Sequence, residues 1–174
     1  MSDTSPIKIG LKIPNDPDEI QSYTLEVVNT ISRHVSLTPK VQRKIKLILV
    51  ELVTNSIKHS KDPDALIMLT INHPQLTIEK VDVGLQIRFA SAEQIPFKDV
   101  DQTARISFSE KNSYDIKIMD QYRFKFIDTF KDHMDINHMP EHFGLYIITV
   151  ASDGFEYQHN PESKENIFIV NINL

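Results

Sequence analysis

The segment Glu51-Leu-Val-Thr-Asn55-Ser-Ile-Lys58-His59-Ser60 follows the apolar run Ile45-Lys-Leu-Ile-Leu-Val50, and together they decide how this chain is interpreted. Side chains four residues apart share one face of an α-helix, so Glu51, Asn55 and His59 are expected to form a polar stripe. Apolar residues cover nearly the whole circumference of the preceding turns, where an unpaired charge would be costly. The stripe therefore indicates a site, although a solvated helix face would show the same residue types.

A carboxylate and a carboxamide on one stripe suggest a bound cation. Their oxygens are hard ligands of the kind that Mg²⁺ takes, and Mg²⁺ usually shares its coordination sphere with water and substrate phosphates. The pattern therefore predicts a nucleotide site.

Strand and helix signals surround this stripe. The helix that carries it is predicted from about Pro39 to His59, with Thr38 as its expected N-cap and Pro39 in the first turn. An earlier helix is predicted to start near Asp16 and to continue to about Val35. Strands are predicted at residues 7–13, 66–71, 76–81 and 85–89, and a short helix at 144–151 precedes a closing hairpin at 155–158 and 167–172.

Residues from about 90 to 142 mix aromatic and charged side chains without a sustained period, although residues 122–126 alternate like a strand. We interpret this range as a lid and insertion within a single domain covering residues 1–174. The expected fold class is an α+β two-layer sandwich, in which helices pack on one face of a mixed, mostly antiparallel sheet.

Composition excludes several classes of protein. Among 174 residues, 19 basic and 24 acidic side chains give a formal charge of −5 without a basic block, which argues against a nucleic-acid surface. No cysteine is present, so disulfides and thiolate metal sites are excluded. No apolar run approaches the roughly 20 residues that span a bilayer, and no leader pattern opens the chain, so we expect a cytoplasmic protein without membrane contact.

The phrases ELVTNSIKHS at residues 51–60, Asp82-x-Gly84, and FGLYIITVASD at residues 143–153 resemble the motifs of the GHKL (Bergerat-fold) ATPases. Among these, the chain is most similar to the anti-sigma-factor serine kinases. The resemblance implies the histidine-kinase-like ATPase fold, ATP and Mg²⁺ as cofactors, and a regulatory protein partner such as a sigma factor or its antagonist. A homodimer is also compatible with it.

The resemblance also implies roles for individual residues. Asn55 would coordinate Mg²⁺ between the phosphates, and Glu51 would act as general base on the attacking hydroxyl. Asp82 would accept a hydrogen bond from the adenine amine beside Gly84. The remaining cofactor-binding residues would be His59, and at the start of the last helix His142, Gly144 and Leu145.

Two alternatives stay open. If Leu85, Ile87 and Phe89 form the core-facing strand, Ser91 would take the place that we favour for Asp82. The second alternative concerns function: Gln86 and His142 stand where the family has glycines. A non-catalytic interaction module that no longer binds ATP efficiently would show such changes.

Overall fold

The computed structural model describes residues 5–60, 62–109, 112–128 and 143–174, and His142 lies outside them. The helices are α1 (Ile20–Ser32), α2 (Pro39–His59) and α3 (Phe143–Ala151). The strands are β1 (Ile7–Lys12), β2 (Leu66–Asn72), β3 (Gln75–Val83), β4 (Thr103–Ser109), β5 (Asn112–Asp120), β6 (Arg123–Ile127), β7 (Gly154–Asn160) and β8 (Glu165–Asn173).

All eight strands belong to one sheet, in the order β1-β2-β3-β8-β7-β6-β5-β4. Every neighbouring pair in this order is antiparallel. The closing hairpin, β7 and β8, therefore lies in the middle of the sheet and joins the β1-β2-β3 half to the β6-β5-β4 half.

The expected fold class is wrong. The described chain forms a long antiparallel sheet without the mixed strand pairing that we expected, and strand residues outnumber the residues of its three α-helices. It is therefore not shown to be a Bergerat sandwich of helices packed on a mixed sheet.

The extra strands explain much of the error, because β4, β5 and β6 come from the range that we interpreted as lid and insertion. In β5, Tyr114, Ile116 and Ile118 are buried at every second position, as a strand with one core face requires. Register shifts after Ser107 and after Ile118 interrupt the pairing on both sides of β5. The alternation from Tyr114 to Ile118 is nevertheless intact in the sequence, so β5 was recognisable there and the interpretation as a lid overlooked it.

The long helix α2 has the predicted bounds. Thr38 accepts a hydrogen bond from the N–H of Val41 at 3.3 Å, which confirms the N-cap. Its buried residues recur at spacings of three and four, from Ile45 to Ser56. Leu47 and Val50 are exposed, so the helix is amphipathic and is not buried around its whole circumference as we expected.

On the core-facing side of the central strands, apolar residues are followed by polar ones. Leu76 and Ile78 of β3 are fully buried and pair directly with Ile172 and Val170 of β8. The same face of β3 continues through Lys80 and Asp82, which pair with Phe168 and Asn166. This side of β3 and β8 therefore changes from apolar to polar towards one end of the strands.

Two further local predictions can be compared with the structure. The closing hairpin is confirmed, with β7 ending at Asn160 and β8 starting at Glu165. The strand expected at residues 85–89 is wrong, because these residues form an irregular segment after Gly84. In the described part of the chain, none of the helices combines the length and the apolar character needed to cross a membrane.

Candidate functional site

A cavity of about 650 Å³ opens at the polar end of β3 and β8. Small-molecule sites commonly have volumes of roughly 300–1,000 Å³, so it is large enough for a nucleotide. One wall is formed by β3 and the turn that follows it, and a second by β8. The end of α2 and the first turn of α3 complete the wall with Asn55, His59, Ser60 and Leu145.

Asp82 lies on the cavity wall and already has two partners. It is buried, its Oδ1 accepts a hydrogen bond from Nδ2 of Asn166 at 3.0 Å, and its Oδ2 forms an ion pair with Nζ of Lys80. The Lys80 ammonium also lies 4.6 Å from the ring centroid of Phe168, a favourable cation–π distance. The buried acid is thus matched by a buried cation on the same face of β3.

Asn166 connects this ion pair to the interior. Its Nδ2 also donates to the carbonyl of Leu85 at 3.2 Å, and its Oδ1 accepts from the hydroxyl of Tyr157 at 2.6 Å. Nδ1 of the buried His159 lies 2.9 Å from the same oxygen. Every hydrogen-bonding atom of this carboxamide therefore has a partner, which fixes one wall of the cavity.

Tyr157 holds the segment after Gly84 in place. Its hydroxyl oxygen accepts a hydrogen bond from the N–H of Ile87 at 3.0 Å. Burial raises the pKa of Tyr157, the Ile87 hydrogen bond acts in the opposite direction, and the charge of Asp82 raises the pKa further. The phenol therefore stays protonated and donates to Asn166 at neutral pH.

Only part of the polar stripe on α2 lines the cavity. Asn55 and His59 line the cavity, whereas Glu51 and Gly144 are not part of the described wall. A Cβ placed on Gly144 would overlap Oε2 of Glu51 and would lie 3.3 Å from its Cδ and 3.6 Å from Nδ2 of Asn55. The absence of a side chain at Gly144 therefore lets the first turn of α3 approach the Glu51 carboxylate.

Burial raises the pKa of Glu51, and the nearby charge of Lys58 partly opposes this shift. A raised pKa means that the folded protein disfavours the carboxylate form relative to the unfolded chain. The charge of Glu51 therefore destabilises the fold above its folded pKa. This cost shrinks as the pH falls below that pKa and is lost near 4.5, the ordinary pKa of a glutamate. A carboxylate with increased proton affinity is also suited to general-base chemistry.

Glu51→Gln is therefore expected to stabilise the protein at neutral pH. The gain should be roughly 1–4 °C in Tm, a size typical of a single stabilising substitution in a chain of this length. It should shrink as the pH falls towards 4.5, the ordinary pKa of a glutamate, where both proteins carry a neutral side chain. Melting curves at pH 8, 6 and 4.5 measure the difference, and a lower Tm for Glu51→Gln at pH 8 would mean that the carboxylate makes a favourable contact.

The structure distinguishes the two strand assignments that the sequence left open, which put either Asp82 or Ser91 at the site. Leu76, Ile78, Lys80 and Asp82 share the buried face of β3, as the favoured register required. Ser91 is absent from the cavity wall, and its hydroxyl accepts a hydrogen bond from the N–H of Ser107 at 3.2 Å. Asp82 is thus the acid at the cavity.

Sequence reasoning missed several residues of the wall: Lys80, Arg88, Phe108, Asn166 and Phe168. One signal was available, because a lysine on the core-facing side of β3 needs an acidic partner, and Asp82 lies two positions later on that side. The contributions of β4 and β8 depend on strand pairing over long sequence separations. No local pattern reveals them.

Asn55 is a cavity residue whose side chain fits Mg²⁺. Within the described ranges, no three His, Asp or Glu side chains come together as a metal cluster. Mg²⁺ is commonly held by one or two protein oxygens with water and substrate phosphates, so the Asn55 carboxamide could supply the protein ligand. The Nδ2 atom of Asn55 lies close to Gly144: a Cβ added to that glycine would be 3.6 Å from it.

No family model matches the chain, and a search of curated proteins gives no match to it.

Proposed function

We propose that this protein binds an adenine nucleotide with Mg²⁺ in the cavity and acts on a regulatory protein partner. The observation that carries the proposal is the meeting of Asn55, Asp82, Gly84 and Leu145 around one cavity of nucleotide size. These residues belong to three separate motifs of the sequence, and the resemblance of those motifs to the GHKL ATPases predicts a single nucleotide site for all of them.

The base of the nucleotide fits the end of the cavity at Asp82. Each carboxylate oxygen has more than one acceptor direction, so Asp82 can accept from an amine while it keeps its bonds to Lys80 and Asn166. Leu85 and Ile87 supply apolar lining for a planar ring beside Gly84. A Cβ on Gly84 would meet only Nδ2 of Asn166 at 3.7 Å, so the glycine leaves open space at the wall rather than relieving a clash.

The phosphates fit the end of the cavity at α2. Asn55, His59 and Ser60 offer polar groups there, and Leu145 lies in the first turn of α3. When bound, Mg²⁺ would neutralise phosphate charge at this end, with Asn55 as its protein ligand. Asn55 would also orient the phosphates relative to α2.

The proposed action on the partner is transfer of the γ-phosphoryl group to a serine hydroxyl. The bond from the terminal phosphorus to the bridging oxygen breaks, a bond to the serine Oγ forms, and the hydroxyl proton passes to Glu51. The raised pKa of Glu51 supports its role as the base. The similarity of residues 51–60 to the corresponding motif of the serine kinases supports the choice of reaction.

A second candidate is a non-catalytic interaction module, and two observations favour it. Both carboxylate oxygens of Asp82 already have protein partners, and Glu51 lies against Gly144 rather than on the described cavity wall. Such a protein would bind its partner without a need for nucleotide.

Melting curves with and without Mg·ATP distinguish the two candidates. Ligand binding to the folded state adds about 2.7 kcal/mol at a hundredfold excess over Kd, which corresponds to roughly 5–10 °C in Tm for a chain of this size. Asn55→Ala should remove the Mg²⁺ dependence of the shift, whereas Asn29→Ala, an exposed change on α1, should not. An unchanged wild-type Tm at millimolar Mg·ATP would favour the interaction module.

A further inference from the structure

The charges on the cavity wall do not balance. Lys80 and Asp82 neutralise each other in a buried ion pair. Arg88 also lines the cavity and is exposed, and no hydrogen bond or ion pair of its side chain occurs within the described parts of the chain. Among the described residues, the wall therefore presents a guanidinium that has neither a hydrogen-bond nor an ion-pair partner.

The position of this cation matters, because the chain as a whole has a formal charge of −5. A concave wall focuses the field of such a charge and raises the local concentration of anions. The planar guanidinium can donate two parallel hydrogen bonds to a phosphate, which gives both affinity and orientation. The chemistry of Arg88 thus selects for a phosphate or another oxyanion.

The backbone holds Arg88 on both sides. The N–H of Ile87 donates to the Tyr157 hydroxyl at 3.0 Å, and the N–H of Phe89 donates to Oε1 of Gln94 at 3.4 Å. Nε2 of Gln86 donates to the carbonyl of Ile95 at 2.7 Å. The irregular segment that carries Arg88 is therefore anchored, and only the arginine side chain needs to be ordered when a ligand binds.

The first turn of α3, where the resemblance implies cofactor-binding residues, is a poor place for a phosphate. The Glu51 carboxylate lies against Gly144, so a phosphate at this helix terminus would face a like charge. A neighbouring carboxylate offsets the favourable field of a helix N-terminus. The positive charge that a phosphate requires is instead available at Arg88.

We propose that Arg88 is the phosphate-anchoring residue of the cavity, its long side chain reaching from the segment after Gly84 to the phosphates that Asn55 meets at the α2 end. Affinity for a ligand therefore depends on its phosphates more than on its ring. The inference rests on the proposed nucleotide function and adds to it the residue that binds the anionic group. It also assigns a function to the segment that follows Gly84, which sequence analysis considered only as a strand.

Calorimetry with four probes tests the inference: ATP, AMP, adenosine and inorganic tripolyphosphate, all with Mg²⁺. Arg88→Gln is expected to weaken ATP and tripolyphosphate about ten- to a hundredfold and to leave adenosine unchanged, because charge-assisted hydrogen bonds are lost only with phosphate. Arg88→Lys should retain part of the ATP affinity. Arg43→Gln, an exposed change near the start of α2, is the matched control.

The outcomes separate this inference from the proposed function. If wild-type protein binds ATP and Arg88→Gln binds it equally well, Arg88 is not the anchor, and nucleotide binding stands. If tripolyphosphate binds in an Arg88-dependent way while ATP and adenosine do not bind, the anchor stands and the nucleotide proposal fails. If wild-type protein binds none of the four probes, both are overturned.

Discussion

Asp82→Ala is expected to lower the free energy of unfolding by about 3–5 kcal/mol, the usual cost of removing one partner from a buried ion pair. Lys80 and Asp82 are 4% and 7% exposed, so the remaining ammonium cannot reach bulk water without a change in β3. Nδ2 of Asn166 would lose its acceptor as well. Asp82, which we propose as the hydrogen-bond acceptor for the adenine amine, therefore also stabilises the fold.

Urea denaturation of Asp82→Ala beside Asp64→Ala measures this cost against a matched control. Asp64 pairs with Lys12 on the surface, where the two side chains are 80% and 59% exposed, and such pairs contribute about 0–1 kcal/mol. The double variant Lys80→Met with Asp82→Leu should recover much of the loss, because apolar residues of similar volume can replace a buried pair. Equal effects of Asp82→Ala and Asp64→Ala would show that the pair is not buried in solution.

Asn166→Ala should cost roughly 2–4 kcal/mol of stability, because one substitution leaves several buried groups without a partner. The Tyr157 hydroxyl loses its acceptor at 2.6 Å, and the Leu85 carbonyl loses its donor at 3.2 Å. The Asp82 carboxylate loses its donor at 3.0 Å. The loss should extend to the segment after Gly84, which this network fixes beside the cavity.

Urea denaturation with Asn29→Ala as the exposed control measures the effect of Asn166→Ala. The double variant with Tyr157→Phe should be less destabilised than the sum of the two single variants, since both remove the same hydrogen bond. Strict additivity of the two changes would contradict the network.

The predictable part of the fold depends on local signals. Thr38 and Pro39 define the start of α2, and the spacing of buried residues extends it to His59. The closing hairpin around Asn160 likewise follows from local turn chemistry. The order of the strands in the sheet could not be derived in the same way, because β6 pairs with β7 across a long stretch of intervening chain and β3 pairs with β8 across an even longer one.

In the candidate site, too, only the residues that belong to local motifs could be predicted from the sequence. Asn55 and Asp82 belong to recognisable phrases on α2 and β3, and the structure brings both to the cavity. Asn166 and Arg88 belong to no motif, and their roles arise from cross-strand pairing and from a segment held by Tyr157. We expected apolar residues around nearly the whole circumference of the helix before Glu51. Helix α2 is instead amphipathic, and the Glu51 side chain is half-buried.

The most direct test of nucleotide binding in this cavity is a titration of ¹⁵N-labelled protein with Mg·ATP, followed by two-dimensional amide spectra. Binding at the proposed position should shift the amide signals of Gly84, Arg88 and Leu145, which line the cavity. The signal of Thr103, on the edge strand β4, should stay in place. Unchanged spectra at millimolar Mg·ATP, or shifts confined to residues away from the cavity, would contradict the account.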